Sequence, residues 1–315
     1  MNIIFFGTPD FAAGVLQFLL DNNITIKAVI TKPDRPKGRS GKPQPTPVKL
    51  IANAVNPPIP VFQPELVSAP DFASTLKQFQ PDLFVVVAYG EIIKQHLLDM
   101  PSLGCINVHP SLLPRYRGAT PIQASIIHGD TVTGVTIMHM VRKMDAGNII
   151  KKVEVSIEQD ASFPEIEKKL CEAGSKALLE VIQQFSAGGM IAGEPQNEEL
   201  VSYSTKIELE DCQIDWKKPA KQLHNLIRAV TPDPGAWCYA DVRGERKRLR
   251  ILSSRVVEEQ SDEPGQIVKY GKGDFIIGCG LGSLKILEVQ LEGKKVMSAT
   301  DFICGLPRQF ISLSN

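Results

Sequence analysis

The sequence predicts an open α/β fold, with a Rossmann-like, mainly parallel sheet covered by helices on both faces, and a smaller β-rich domain after it. Three observations predict this. Short apolar runs alternate with helical patterns up to about residue 150. Glycine, proline, asparagine and glutamate then gather over Ala187–Tyr203. Beyond them, short apolar stretches recur between glycine turns.

Taken in order, Ile3–Phe6, Ile26–Ile30, Leu83–Ala88 and Cys105–Val108 are continuous or nearly continuous apolar segments. Such runs suit strands buried on both faces, as in a parallel sheet under helices. Phe11–Leu20 and Phe72–Phe79 lie between them with helical spacing. Val132–Met140 and Ile149–Ile157 alternate more, as strands nearer an edge do. Phe163–Phe185 repeats apolar residues at helical period through Ile166, Leu170, Ala177, Leu178, Val181 and Ile182. Gly188-Gly189 and Gly193-Glu194-Pro195 then mark a connection. A helix is expected near Pro219–Val230. Trp237–Val242, Arg248–Val257, Gly265–Tyr270, Phe275–Gly278 and Leu284–Val289 follow as short strands. Their spacing suggests a β-barrel of roughly 100 residues. The expected division is a domain over 1–187, a linker over 188–205 and a second domain over 206–315.

Of the 315 residues, 43% are hydrophobic and 22% charged, a globular composition. No apolar run approaches the roughly 18 residues a membrane span needs. The chain opens directly on a strand-like segment with no basic leader, so no secretion signal is expected. The six cysteines are scattered without a C-x-x-C pair, which fits free thiols in a reducing cytoplasm. Lysine plus arginine and aspartate plus glutamate each number 35. This neutrality hides two cationic runs. Lys32, Arg35, Lys37, Arg39, Lys42 and Lys49 face Asp34 alone; Arg243, Arg246, Lys247, Arg248 and Arg250 are broken only by Glu245. Each is either a solvated face or a local footprint for phosphates.

Gly7-Thr8-Pro9-Asp10-Phe11 closes the first strand and opens a helix, but Pro9 and Asp10 break any G-x-G-x-x-G fingerprint, so no dinucleotide site is expected. The stretch from Asn107 to Gly118 is the most informative. It leaves an apolar strand at the carboxyl edge, where open sheets bind ligands. Strand alternation turns Asn107 and His109 to the same side. An amide that can donate to an oxyanion and an imidazole that can move a proton suit acyl chemistry. Asp145, in the turn Met144-Asp145-Ala146-Gly147-Asn148, could orient that imidazole if the fold brings it close. No Gly-x-Ser-x-Gly nucleophile motif occurs. His96, His128, His139 and His224 have no partners at metal-ligand spacing, so no metal is expected.

Asn107, His109 and Asp145, with Ser111-Leu112-Leu113-Pro114 and Arg117-Gly118, resemble the signature of the 10-formyltetrahydrofolate-dependent formyltransferases. Phe6–Ala12, Lys32–Pro36 with Gly38-Arg39, and Gly134–Met138 resemble the branch whose acceptor is methionyl initiator tRNA. Ile214-Asp215-Trp216 and Gly293–Ala299 extend the likeness over essentially the whole chain. Pro110, Ala146 and Asn148 differ from residues common there.

The resemblance implies transfer of a formyl group from 10-formyltetrahydrofolate, a co-substrate, to the amino group of methionine esterified to initiator tRNA. It implies that Asn107 and His109 stabilise the oxyanion. His109 would also assist the proton to the folate nitrogen, and Asp145 would hold His109 and help accept the amine's proton. Val87, Ala88, Tyr89, Gly90 and Ile92, with Ser111, Leu112, Leu113 and Pro114, resemble the walls that receive the pterin. Arg35, Lys37, Arg39 and Lys42 are then expected at the tRNA acceptor end. Lys206, Arg243, Arg246, Lys247 and Arg248 would serve an OB-like barrel along the side of the tRNA. A monomeric cytoplasmic enzyme with no membrane partner is expected. The rivals are a formyltransferase acting on a small amine (glycinamide ribonucleotide or a nucleotide sugar), a formyl-folate hydrolase, and a catalytically idle nucleic-acid-binding protein.

Overall fold

A strand with no polar side chain has no face to offer water, and in the computed structural model every residue of Ile3–Gly7 and Leu83–Val87 is buried. The structure describes residues 1–36, 41–259, 263–271, 273–306, 308 and 311–314. The chain forms two compact units. One comprises Met1–Pro121, Val132–Ser156 and Glu167–Ser204; the other comprises Ile122–Thr131, Ile157–Ile166 and Thr205–Asn315.

Along the chain the elements begin with β1 (Ile3–Gly7), α1 (Asp10–Asp21), β2 (Ile26–Ile30), β3 (Arg35–Pro36) and β4 (Pro43–Gln44). Next come α2 (Pro47–Ala54), β5 (Val61–Phe62), α3 (Pro70–Lys77), β6 (Leu83–Val87), α4 (Gln95–Leu98) and β7 (Cys105–His109). They continue with β8 (Arg117–Gly118), α5 (Pro121–His128), β9 (Val132–His139), β10 (Ile149–Ser156), α6 (Phe163–Ser186) and β11 (Tyr203–Ser204).

The first unit holds a seven-stranded sheet in the order β10-β9-β7-β6-β1-β2-β5. Strands β5, β2, β1, β6 and β7 are parallel. β9 runs antiparallel to β7, and β10 antiparallel to β9; the alternation expected of both holds for β10 at the sheet edge, whereas β9 lies inside the sheet and is buried from Thr133 to Met138. From β1 the chain steps to β2 and β5 on one side, then returns to β6 and β7 on the other. The carboxyl ends of β1 and β6 therefore flank the switch point where open sheets receive ligands. Thr8 Oγ1 donates to the Tyr89 carbonyl across that point at 3.0 Å. α1 buries Phe11, Ala12, Val15, Leu16 and Leu19, a helical stripe. It ends where Asn22 returns its amide to Phe18 and Leu19 and Asn23 turns left-handed at φ 60°. Each large aliphatic or aromatic side chain so buried contributes about 1.5–3 kcal/mol.

The connection expected over 188–205 belongs, as far as Ser204, to this first unit. Ile149 and Glu194 exchange backbone hydrogen bonds of 2.7 and 2.8 Å, and β11 pairs in parallel with β8. A glycine- and proline-rich polar composition is common to free linkers and to straps held by hydrogen bonds, so composition does not separate them.

The second unit contains α7 (Ala220–Val230), β12 (Ala236–Val242), β13 (Glu245–Val257), β14 (Ile267–Gly271), β15 (Asp274–Gly278) and β16 (Ser283–Leu291). β17 (Met297–Ser298), α8 (Ala299–Gly305) and β18 (Ile311–Ser314) complete it. The strands form an antiparallel sheet in the order β14-β15-β16-β13-β12-β18, with β17 on β16. Register shifts between Ile251 and Ser254 bend the 13-residue β13, which pairs with both β12 and β16. Beneath it His224, 3% exposed, has Nδ1 at 3.1 Å from Ser254 Oγ and Nε2 at 3.2 Å from Asp160 Oδ1. Burial, and then the charge of Arg228, lower the His224 pKa; Asp160 opposes both. Among the described residues no helix is long and apolar enough to cross a membrane.

Candidate active site

β7 ends at His109, and its alternation carries Asn107 and His109 to one side, as their spacing predicts. His109 is 4% exposed. Its Nε2 lies 2.9 Å from the Tyr116 carbonyl. A carbonyl can only accept, so Nε2 carries the proton and Nδ1 is the nitrogen left to exchange one. Nδ1 faces Asp145 Oδ2 at 3.7 Å, within reach of charge but beyond a direct hydrogen bond. The Asn107 amide is half-buried, and no protein hydrogen bond among the described residues engages it. The fold thus brings Asp145 to His109 from 36 positions downstream and leaves an amide donor uncommitted two residues before the imidazole.

The Asp145 turn is held from several directions. Its Oδ2 accepts the Gly118 amide at 2.8 Å, and its backbone is left-handed at φ 50°. Gln196 Nε2 donates to the Asp145 and Gly147 carbonyls, both at 2.8 Å. Arg117 is fully buried; its Nη2 donates to Gln196 Oε1 and to Glu198 Oε1, both at 2.8 Å. Glu198 also receives Lys143 Nζ at 2.8 Å. The hydrogen bond from Arg117, then that from Lys143, pull the Glu198 carboxyl down to about 2. Two glycines make this closeness feasible. A Cβ on Gly147 would strike the His139 carbonyl, and one on Gly118, at φ +118°, would strike the Ser204 carbonyl. Arg117, Gln196 and Glu198 were absent from the expected site. Only the Arg117-Gly118 pair within the motif gave a sign of them.

The expected folate walls are of two kinds. Val87, Tyr89, Ser111, Leu113 and Pro114 are buried, backbone included, so they stand behind the surface rather than on it. Burial, then the nearby Glu91 charge, push the Tyr89 phenol pKa up. Ala88, Gly90 and Ile92 are exposed and Leu112 is half-buried, so these can present a surface. Open space lies beside Gly90, where an added Cβ would meet nothing within 4 Å. The 111–115 loop is rigid: Ser111 Oγ donates to the Arg115 carbonyl at 2.6 Å. Thr136 Oγ1 donates to the Ser111 carbonyl at 2.7 Å and accepts the Leu113 amide at 3.1 Å.

Comparison with known proteins accords with this geometry. The formyl transferase pattern matches residues 1–182, and the formyl transferase C-terminal domain matches residues 206–307. The chain belongs to the formyl transferase family. It is 56% identical over 308 residues to the methionyl-tRNA formyltransferase of Protochlamydia amoebophila, covering 98% of this chain and 96% of that one. It is 43% identical over 305 residues to the methionyl-tRNA formyltransferase of Geobacter metallireducens, covering 97% and 96%. Among solved structures, HypX from Aquifex aeolicus in complex with tetrahydrofolic acid matches with TM-score 0.64 and 18% identity, over 96% of this chain and 47% of that one. WlaRD, a sugar 3N-formyl transferase in the presence of dTDP and 5-N-formyl-THF, matches with TM-score 0.66 and 21% identity, over 94% and 99%. Both show the family's fold.

In this formyl transferase the two cationic runs are unlike. Lys37 and Arg39 lie outside the described residues. Lys32 is paired with Glu91 at 2.6 Å and Lys49 with Asp34 at 2.7 Å, so these two cations brace their own loop. Arg35 and Lys42 are exposed. The second run lies in the β12–β13 hairpin, with Arg243 at its turn, left-handed at φ 53°. Arg246 covers the Tyr239 ring at 3.9 Å and Arg248 the Trp237 ring at 4.4 Å. Lys247 pairs with Glu245 at 2.6 Å and Lys206 with Glu208 at 2.9 Å.

Proposed function

We propose that this protein transfers the formyl group of 10-formyltetrahydrofolate to the amino group of methionine esterified to initiator tRNA. The observation that carries the proposal is the convergence of Asn107, His109 and Asp145 at the carboxyl edge of the sheet, with the Asn107 amide uncommitted. The two full-length relatives named methionyl-tRNA formyltransferase support the choice of acceptor. The folates accompanying the two structural neighbours, tetrahydrofolic acid and 5-N-formyl-THF, support the choice of donor.

When bound, the folate supplies a formyl carbonyl open to attack by an amine. Asn107 donates to the oxygen of that carbonyl as negative charge gathers on it, a contact that strengthens in the transition state. His109, its ring fixed by the Tyr116 carbonyl, moves a proton through Nδ1. Asp145 stabilises the imidazolium that results. Ala88, Gly90, Ile92 and Leu112, backed by Val87, Tyr89, Ser111, Leu113 and Pro114, form the walls for a flat ring. Arg35, Lys37, Arg39 and Lys42, with Lys206, Arg243, Arg246, Lys247 and Arg248, supply phosphate contacts, the source of a salt-dependent affinity for tRNA.

The test is incubation with 10-formyltetrahydrofolate and, separately, methionyl initiator tRNA, free methionine and glycinamide ribonucleotide. Formylmethionine released from the tRNA alone is the expected result. Formylation of the small amine, with the tRNA untouched, would overturn the acceptor; release of formate without any acceptor would make the protein a hydrolase.

A further inference from the structure

We propose that Gln196 is a positioning residue for Asp145, acting through it on His109, a role that presupposes the formyl transfer proposed for this site. A left-handed backbone is unfavourable to a residue bearing a Cβ, so the Asp145 turn needs outside support to stay in place. Gln196 supplies it. Its Oε1 accepts from Arg117 Nε at 3.1 Å and Nη2 at 2.8 Å, and its Nε2 donates to the carbonyls of Asp145 and Gly147. A carboxamide has two donors and two acceptor sites, and here all are filled. The guanidinium can only donate and the two carbonyls can only accept, so the amide has one orientation and no freedom to flip. Arg117, without solvent exposure and held by Glu198, is a fixed anchor. The next residue, Gly118, gives its amide to the Asp145 carboxylate. Backbone and side chain of Asp145 are thus referred to one point, residues 117–118, and Gln196 is the link to the backbone. Gln196 touches none of the reacting groups.

Four proteins test this: wild type, Gln196→Ala, Asp145→Asn and the double variant, each assayed for kcat and KM. Gln196→Ala should lower kcat by up to about 100-fold, the loss that a misplacement of about 1 Å can cause, with KM for folate and acceptor near wild type. In the Asp145→Asn background the same change should have little further effect, because two residues acting as one unit are not additive. Gln196→Glu keeps an acceptor for Arg117 but cannot donate to the turn, and should match Gln196→Ala while leaving the anchor paired if the alanine variant folds poorly. Equal losses in both backgrounds, a loss confined to KM, or full activity in Gln196→Glu would overturn the role. Amide hydrogen exchange of Gly118 decides the placement independently of turnover. Faster exchange in Gln196→Ala supports it and an unchanged rate refutes it, even if the wild type formylates no acceptor, which would count against the proposed reaction alone.

Discussion

Two imidazoles in this protein are buried alike, His109 at 4% and His224 at 3% exposed, and each faces an aspartate. Their second ring nitrogens separate them. In His109, Nε2 is tied to a backbone carbonyl, which leaves Nδ1 beside Asp145 and an uncommitted amide two residues away. In His224, Nδ1 meets the Ser254 hydroxyl on β13 and Nε2 lies 3.2 Å from Asp160 Oδ1 without a hydrogen bond, while the amide oxygen of the adjacent Asn225 is taken by Arg228. A buried histidine next to an aspartate is therefore not in itself a catalytic unit. What matters is whether its surroundings leave one nitrogen a proton to move and a neighbouring group an oxygen to receive.

The widest separation between the two should come from alanine. His109→Ala should reduce kcat by about 100- to 10,000-fold, the range for a general acid–base residue, in addition to about 1–3 kcal/mol of stability lost by stranding the Tyr116 carbonyl. His224→Ala should leave kcat near wild type and lower the unfolding free energy by about 1–3 kcal/mol through the stranded Ser254 hydroxyl. Steady-state rates and urea titrations on the same preparations check both. Next, Asn107→Ala should cost about 100- to 1,000-fold in kcat, as the loss of one oxyanion donor does. A loss below tenfold would remove the feature that distinguishes His109 from His224.

Acidity offers a third contrast. Folding lowers the His224 pKa, chiefly by burial. The unfolded chain therefore takes up a proton on His224 at a pH where the folded chain does not. Stability from this source is complete above the ordinary histidine value of about 6.5. It falls as the pH drops below that, by at most about 1.4 kcal/mol per unit, until the folded group titrates too. Urea midpoints at pH 7.5 and 5.5 should diverge more in wild type than in His224→Gln. The smallest effect belongs to Asp160→Asn. Asp160 is 51% exposed, and His224 is neutral at pH 7.5. The loss should stay below about 1 kcal/mol there, with formyl transfer untouched.

Much of the first unit was legible in the sequence, because strands buried on both faces must be apolar throughout, and β1, β2, β6 and β7 are nearly so. Asn107 and His109 were legible for the same geometric reason: two positions two apart on a strand share a side. Asp145 was legible only as a candidate, since nothing in a separation of 36 residues shows that a turn folds back. The support for that turn was hidden altogether. Arg117 and Gln196 are ordinary polar residues until the fold buries one against the other, and the segment holding Gln196 has the composition of a linker. Charge was also a poor guide within the first cationic run. Lys32 and Lys49 count as free cations on paper, yet Glu91 and Asp34 neutralise them. In the second run, the unbroken charges of Glu245–Arg248 concealed a strand, so β13 begins at Glu245 rather than at the expected Arg248.

Arg117 and Glu198 lie 81 positions apart, and this separation bears on how the protein is made. All strands of the first sheet are encoded before residue 157, so a nascent chain can complete the sheet while Gln196 and Glu198 are still unmade or inside the ribosome. Through that interval His109 and Asn107 are in place, but the Asp145 turn lacks its brace and Arg117 lacks its counter-charge. The brace on the Asp145 turn thus waits on the synthesis of a short polar segment rather than on the closing of the sheet.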